Sequence, residues 1–230
     1  MKRLVLAAAF LLATTLATAS PASTLPPASH AYGLNSSFAD ELGGPSMGHQ
    51  IGHLLLTSFK FRTGGGTSLT GAVAAATYSV EMRFKVSLTG SADSAYRLLD
   101  FKNGFSDLGL YAYSNGILQF YQGHFDNPQT GPGVIPANQF VDILITRESS
   151  SGVVNIYAGG TLAFTFIDSA GDAILDSPDS VHTKLGFFVD NNGEHGPGAL
   201  DHVRVFDTVL NAAAASALAQ GKLPPNVTQK

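Results

Sequence analysis

Two acidic, amide-rich segments carry the residue types that bind Ca²⁺ most readily. Asp100 and Asp107 bracket one segment between two predicted strands, and Asp190, Asn191 and Glu194 follow an apolar run in the other. Carboxylate and amide oxygens are the hard ligands that Ca²⁺ prefers, although neither segment has the spacing of a helix-loop-helix calcium site. Asp and Asn also close turns by bonding their own backbone. The sequence therefore predicts calcium as the only cofactor, with ordinary turns as the alternative.

Two loops rich in Gly, Pro and Asn are predicted to contact a ligand. They span Gly123–Gly133 and Asn191–Gly198, and this composition resists strand pairing while exposing polar groups. The predicted ligand-binding side chains are His124, Asp126, Glu194, His195 and Tyr121. We expect both loops to leave the sheet at the same rim. The alternative is that both are plain solvated connections.

The glutamates show no carboxylate pair of the kind that glycosidases need. Glu41, Glu81, Glu148 and Glu194 are the only four, and they are at least 40 residues apart. No single strand therefore places an acid and a nucleophile on one face. Assembly of carboxylates from distant strands stays open. We predict no catalytic residues and no glycoside hydrolase activity.

The elements that must position these loops are short strands. In the run Tyr78–Val86, apolar residues alternate with polar ones, which predicts a strand with one face in the core and Glu81, Arg83 and Lys85 facing water. Similar runs predict strands at Leu54–Phe61, Tyr96–Phe101, Leu108–Tyr113, Ile117–Tyr121, Phe140–Arg147, Val153–Ala158, Leu162–Phe166, Lys184–Val189 and Leu200–Phe206. Turn dipeptides such as Asn115-Gly116 join neighbours as hairpins.

Only one helix is predicted. It spans Ala212–Gln220, with Asn211 as the N-cap and Gly221 at its end. The segment Gly64–Ser68 is interpreted as a glycine-rich loop, and it lacks the lysine of a phosphate-binding loop. Because no long helical segment separates the central strands, the pattern predicts an all-β fold, an antiparallel β-sandwich with one short C-terminal helix.

The first residues have the features of a secretory signal peptide. Lys2 and Arg3 precede an apolar stretch of 13 residues, and Ala17-Thr18-Ala19 suits signal peptidase. That stretch is shorter than the roughly 20 residues of a membrane span. We predict a signal peptide at residues 1–19 cleaved after Ala19, a linker at 20–29, a sandwich domain at 30–221 and a tail at 222–230. The protein is expected to be secreted, extracellular or periplasmic, with no membrane span.

Composition excludes several other classes of function. The net charge is -4 and no basic run is present, so nucleic acid is not an expected partner. The chain has no cysteine, which excludes disulfides, thiolate zinc sites and cysteine nucleophiles. The 25 glycines and 11 prolines supply the many turns that a sandwich needs.

Five segments in order resemble the laminin G-like jelly rolls of the concanavalin A-like lectin/glucanase superfamily, in their exported bacterial form. These segments are Tyr32–Met47, Tyr78–Val86, Leu108–Phe120, Gln139–Phe166 and Leu200–Leu218. The resemblance covers nearly all of the predicted mature chain and implies a jelly-roll fold. Because the family includes adhesion domains, calcium-dependent glycan binders and glycanases, it does not select one function.

The leading hypothesis is a secreted, non-catalytic module that binds glycans or mediates adhesion with the help of calcium. Any sugar-stacking ring must come from Tyr or Phe because the chain has no Trp. Tyr111, Tyr113, Tyr121 and Phe125 are the candidates, and we expect at least half of them to be core residues. The alternatives are a secreted carbohydrate-active enzyme and a structural matrix protein that recognises an extracellular protein.

Overall fold

The computed structural model describes residues 25–89, 95–123, 126–190, 193–194 and 196–228. Within these ranges the chain forms fourteen strands and one helix, and no helix there is long and apolar enough to cross a bilayer. The predicted signal peptide and its cleavage site lie outside the described residues.

The predicted antiparallel β-sandwich is confirmed. The strands are β1 His30–Tyr32, β2 Gly48–Ile51, β3 His53–Leu54, β4 Phe59–Phe61, β5 Gly66–Thr70, β6 Tyr78–Val86, β7 Ala95–Asp100, β8 Gly109–Tyr113, β9 Leu118–Tyr121, β10 Val141–Arg147, β11 Val153–Ala158, β12 Thr161–Ile167, β13 Lys184–Phe187 and β14 Gly198–Phe206. The larger sheet has the order β12-β11-β10-β6-β14-β4-β3, with β1 also paired to β14. The smaller sheet has the order β2-β5-β13-β7-β8-β9.

The main core lies between the two sheets. Strand β6 shows why: Val80, Met82 and Phe84 all point into the core, as the alternation predicted. They meet side chains of the smaller sheet such as Leu98 and Phe187, which are fully buried. Burial of these apolar side chains is the main force that holds the two sheets together.

The other face of β6 is not wholly solvated, and the prediction for Glu81 was wrong. Glu81 is only 1% exposed, and Arg83 and Lys85 are half-buried. A second apolar cluster explains this, because Leu144 of β10 and Phe206 of β14 are covered by the C-terminal helix. The outer face of the larger sheet is therefore partly an interior.

The helix α1 covers that face over Ala212–Ala219. As predicted, Asn211 is its N-cap, and its side-chain oxygen accepts from the backbone N–H of Ala214 at 3.0 Å. Gly221 follows the helix with φ +78°, a left-handed conformation that favours glycine. The alanines Ala214, Ala215 and Ala217 are buried against the sheet, so the helix packs closely on it.

Both flanking segments also pack onto the outer face of the larger sheet. Leu25 and Ala28, from the segment predicted to be a linker, are buried beside helix α1. The Asn226 side chain, from the predicted tail, accepts from Ala28 N at 2.9 Å and donates to Ala28 O at 2.8 Å. These two segments are thus bonded to each other and packed on the sandwich.

Strands β1, β2 and β5 were not predicted. The glycine-rich segment Gly64–Ser68 was interpreted as a loop, but β5 begins at Gly66. A Cβ at Gly66 would lie 2.5 Å from the carbonyl oxygen of Phe187, so glycine permits close approach to β13. The predicted strand Leu54–Phe61 is also two strands, β3 and β4, joined by a turn.

Candidate functional site

A buried arginine organises the outer face of the smaller sheet. The side chain of Arg97 in β7 has no exposed surface, and its guanidinium lies 3.2 Å from Asp100 Oδ1 and 3.4 Å from Asp190 Oδ1. It also donates to the backbone carbonyls of Ser106 and Leu108. One side chain therefore joins the strand to the segments on either side of it, the β7–β8 loop and the segment after β13.

The two acidic segments close their own turns, as the alternative to calcium predicted. Asp100 Oδ1 accepts from Lys102 N at 2.9 Å, and Asp190 Oδ2 accepts from Glu194 N at 2.8 Å. Glu194 O in turn accepts from Arg97 N at 2.8 Å. These hydrogen bonds hold the backbone at Lys102 and at Glu194.

Three carboxylates from these segments converge on one point. Asp107, Asp190 and Glu194 each offer a ligand atom within 4.8 Å of the others, and we call them the carboxylate trio. Glu194 Oε2 is buried and has no hydrogen-bond donor among the described residues. Three acids and one arginine leave this cluster with excess negative charge.

One carboxyl of the trio, that of Glu194, has a shifted pKa. Burial raises the pKa of Glu194, and the nearby Asp190 and Asp107 raise it further, whereas Tyr111 and Arg97 lower it. Burial likewise raises the pKa of Asp100, although Arg97 opposes that shift. Perturbed carboxyls in a concave site are candidates for function.

An open cleft of about 260 Å³ adjoins the trio. We call it the acidic cleft. The residues that line it include Ser68, Asp100, Asn103, Gly104, Lys184 and Asp190. Asp190 is common to the cleft and the trio, and its side chain, which has no exposed surface, lies between them.

The structure brings together part of the predicted metal site. Asp107, Asp190 and Glu194 form the trio, whereas Asp100 lies outside it and faces Arg97. Asn191 lies outside the described residues.

The predicted ligand-binding residues are only partly described. Tyr121 is half-buried, and its ring centroid lies 6.2 Å from that of Tyr111, whose hydroxyl donates to Asp107 O at 2.9 Å. Tyr121 and Glu194 therefore belong to the same surface. Asp126 is exposed and is not a member of the trio. His124, His195 and the candidate ring of Phe125 lie outside the described residues.

The expectation that both loops leave at one rim was wrong. Strands β13 and β9 run in opposite directions, because β13, β7, β8 and β9 alternate in direction across the sheet. The segment after β13 instead folds back over β7, where Glu194 bonds Arg97. Gly123, just after β9, lies against Leu108. The loops thus approach the Asp107 region by different routes.

The sequence did not indicate that Arg97 and Tyr111 belong to the same site. Arg97 stands in the otherwise uncharged run Ala95–Leu99, and a buried charge needs a partner. This apolar run was the feature of the sequence that indicated a buried, paired arginine. Its partners could not be identified, because Asp190 lies on another strand's loop far along the chain.

A second charged cluster lies on the outer face of the larger sheet, and we call it the charge network. Its members, in the order in which opposite charges meet, are Arg204, Glu81, His202, Asp201, Arg83 and Asp142. The distances along this chain of contacts are 3.2, 2.8, 3.0, 3.6 and 2.6 Å. Positive and negative groups alternate throughout.

His202 is the centre of the charge network. Its Nε2 lies 2.8 Å from Glu81 Oε1 and its Nδ1 lies 3.0 Å from Asp201 Oδ2, an arrangement that only the doubly protonated ring can satisfy by donating twice. Burial opposes that charge, but Glu81 and Asp201 outweigh it and raise the pKa of His202 to about 9. Although burial alone would raise it, His202 and Arg204 hold the pKa of Glu81 below its usual range.

A pocket of about 410 Å³ opens over the charge network. Its charged floor groups are already bonded to one another, as with Arg83 and Asp142 at 2.6 Å. The acidic cleft, in contrast, adjoins a carboxylate with a free buried oxygen. We therefore take the acidic cleft and the trio as the candidate site.

Comparison with known families and structures agrees with this architecture. Residues 62–216 match a family model described as the concanavalin A-like lectin/glucanases superfamily. No curated protein matches the sequence significantly.

Several solved structures share the fold at low identity. A Trypanosoma rangeli sialidase in complex with 2,3-difluorosialic acid matches with a TM-score of 0.61 and 13% identity over 83% of this chain. The chain spans only 32% of that sialidase. Domain 4 of the extracellular arabinanase AbnA from Geobacillus stearothermophilus, in complex with arabinotriose, matches with a TM-score of 0.59 and 16% identity, over 84% of this chain and 98% of that domain. The binding domain of botulinum neurotoxin serotype D matches with a TM-score of 0.55 and 15% identity, over 85% of this chain and 52% of that one.

Proposed function

The chain belongs to the concanavalin A-like lectin/glucanase superfamily, and from that premise we propose that it is a secreted, non-catalytic module that binds carbohydrate in the acidic cleft. The observation that carries this proposal is the fixed set of polar groups around the cleft. Arg97 bonds both flanking segments, so carboxylates that accept hydroxyl protons are held in place. Hydrogen bonds to ionised acceptors are stronger than neutral ones, and preorganisation lowers the cost of binding.

The arabinanase domain supports the proposal through its size. It is a separate domain in complex with arabinotriose, and this chain covers 98% of it. A sandwich of these dimensions can therefore serve as a sugar-binding unit without a catalytic domain of its own. The sialidase match is less informative, because the chain corresponds to only 32% of that enzyme.

The bonding of Asp190 supports the absence of catalysis. A glycosidase needs one carboxyl as acid and a second as nucleophile or base. Asp190 is bonded to Arg97 and to the Glu194 backbone, so it supports structure.

A second candidate function is glycoside hydrolysis, which the raised pKa of Glu194 favours because a general acid must stay protonated. A reducing-sugar assay over neutral and acidic polysaccharides separates the two functions. Sugar release that disappears in Glu194→Gln would establish hydrolysis. We expect no release from either protein.

A glycan array with the secreted protein tests the main proposal. We expect binding to at least one glycan and weaker binding by Glu194→Gln. Glu148→Gln is the matched control, because Glu148 lies on the β10–β11 turn of the other sheet. No binding to any glycan, together with binding to an extracellular matrix protein, would favour the protein-recognition alternative instead.

Calcium and export complete the proposal. We propose that the trio is the calcium site, with Glu194 Oε2 as a ligand atom that no described donor uses.

We also propose that the chain is exported and cleaved after Ala19. N-terminal sequencing of the secreted protein should therefore begin at Ser20, and an intact Met1 on a membrane-bound form would contradict this.

A further inference from the structure

Phe105 is the most conspicuous exposed aromatic residue near the acidic cleft. It is 82% exposed, and it ends a tight turn in which its backbone N–H donates to Lys102 O at 2.9 Å. Asn103 and Gly104, the central residues of the turn, have φ values of 51° and 75°. Two left-handed central residues of the Asn-Gly type are typical of a type I′ turn, which projects the next side chain outward from a compact base.

The turn is held firmly on both sides of Phe105. Before it, the Lys102 ammonium donates to Ile174 O at 2.8 Å and lies 3.3 Å from Asp176 Oδ1. After it, Arg97 bonds the carbonyls of Ser106 and Leu108. The ring is therefore exposed on a fixed backbone, so little conformational entropy is lost when a ligand contacts it.

The same turn forms part of the acidic cleft. Asn103 and Gly104 line the cleft, and Phe105 follows them directly in the chain. The exposed ring therefore stands at the end of the turn that forms one wall of the cleft, and the rest of the lining consists of Val189 and the polar residues Ser68, Asp100, Lys184 and Asp190. Sugars need this combination, because a pyranose or furanose has a face of C–H groups and a rim of hydroxyls, and aromatic rings offer large apolar area with a defined geometry.

The charges around the cleft limit which sugars can bind there. Lys184 is the cation that lines it, and Asp100 and Asp190 are the carboxylates that line it. Arg97, Asp107 and Glu194 lie next to the lining residues, and Lys102 is paired with Asp176. Without bound calcium, these four carboxylates outnumber Arg97 and Lys184, so the local field is negative and repels an anionic ligand.

We propose that Phe105 is the stacking platform of the acidic cleft and that, without bound calcium, the cleft selects neutral sugars over acidic ones. This inference rests on the proposed carbohydrate-binding function. It adds a specific contact residue and a ligand class, glycans without carboxylate or sialic acid groups at the bound unit.

Calorimetric titration with arabinotriose, lactose and 3′-sialyllactose, together with whichever neutral glycans bind on the array, tests the inference. We expect Phe105→Ala to weaken neutral-glycan binding about 10-fold, since an aromatic contact and its buried area contribute at this level. Phe105→Tyr should keep most of the affinity. Val181→Ala is the control, because Val181 is also highly exposed, at 76%, but lies in a different loop.

The outcomes separate this inference from the function on which it rests. Glycan binding that is equal in wild type and Phe105→Ala leaves the proposed function standing and overturns the platform. Tighter binding of 3′-sialyllactose than of lactose, at low salt and with chelator present, overturns the neutral selectivity. Binding of no glycan by the wild type overturns the proposed function and the inference together.

Discussion

The charge network on the larger sheet and the carboxylate trio on the smaller sheet hold buried charge in different ways. In the network each carboxylate faces a cation, and the pKa of Glu81 is lowered even though Glu81 is fully buried. In the trio three carboxylates converge beside one arginine, and the pKa of Glu194 is raised. The charged form of Glu81 is thus favoured by its neighbours, whereas burial and the neighbouring carboxylates disfavour the charged form of Glu194.

This difference indicates which of the two clusters is suited to binding a ligand. Binding sites commonly contain groups whose charge or conformation destabilises the folded state. Favourable interactions elsewhere in the protein compensate for that loss of free energy. The charge network lies under helix α1 and the flanking segments, where it joins β6, β10 and β14. The trio lies beside an open cleft. Four predictions test this contrast.

The largest effect is expected from Glu81→Gln. Removing this carboxylate leaves Arg204 buried without its anion and His202 with Asp201 alone, and breaking a buried pair typically costs about 3–5 kcal/mol. Urea denaturation of this variant should show that loss of unfolding free energy. Glu148→Gln, at an exposed turn, is the control. A loss below about 1 kcal/mol would mean that the network does not stabilise the fold.

Rising pH should weaken the network through His202. Its pKa is about 9 in the folded protein and ordinarily 6.5, so the folded state binds the proton more tightly. The resulting stabilisation is complete below pH 6.5 and is lost as the pH rises through 9, by roughly 3 kcal/mol in total. Denaturant midpoints between pH 6 and 9.5 measure this change. If His202→Gln shows the same pH profile as the wild type, His202 is not the cause of the change in stability.

Calcium should stabilise the trio and leave the charge network unaffected. An ion bound only to the native state adds about 1–3 kcal/mol by mass action when its concentration well exceeds the dissociation constant. Thermal melts with calcium and with chelator should differ for the wild type and coincide for the double variant Asp107→Asn, Glu194→Gln. If chelator leaves the melting temperature unchanged and calorimetry shows no heat, the acidic segments are ordinary turns.

The smallest effect on stability is expected from Glu194→Gln. Because the folded state raises the pKa of Glu194, wild-type stability falls as the pH rises above its usual value of 4.5. The variant lacks that loss, so at pH 7 it should be as stable as the wild type or slightly more stable, within about 0.5 kcal/mol. Urea denaturation at pH 4 and pH 7 measures this. If Glu194→Gln is clearly less stable than the wild type at pH 7, Glu194 stabilises the fold as Glu81 does, and the contrast between the two clusters is wrong.

Local sequence signals predicted the elements that depend on local geometry. The strand Val153–Ala158 and the capped helix after Asn211 are confirmed. Both could be predicted because strand alternation and helix capping depend on residues only a few positions apart. The turn-closing roles of Asp100 and Asp190 are local in the same way.

Features that depend on distant segments could not be predicted. Glu81 lies on the polar face of β6, and only helix α1 and the flanking segments make that face an interior. Arg97 stands in an apolar run, which indicated a buried charge, but Ser106, Leu108 and Asp190 contact it from two separate loops. The direction of β13 relative to β9 depends on sheet order, which no residue pattern specifies.

The bond between Ala28 and Asn226 places a constraint on the order of folding during synthesis. The two residues are 198 positions apart, and β1 can pair only with β14 in the described sheet. At a translation rate of about 5–20 residues per second, the amino-terminal segment waits roughly 10–40 s for its partner. Strand β14 also separates β6 from β4. The larger sheet therefore closes only after β14 has been made, and the segment from Ala28 to Tyr32 is among the last of the described residues to reach its native position.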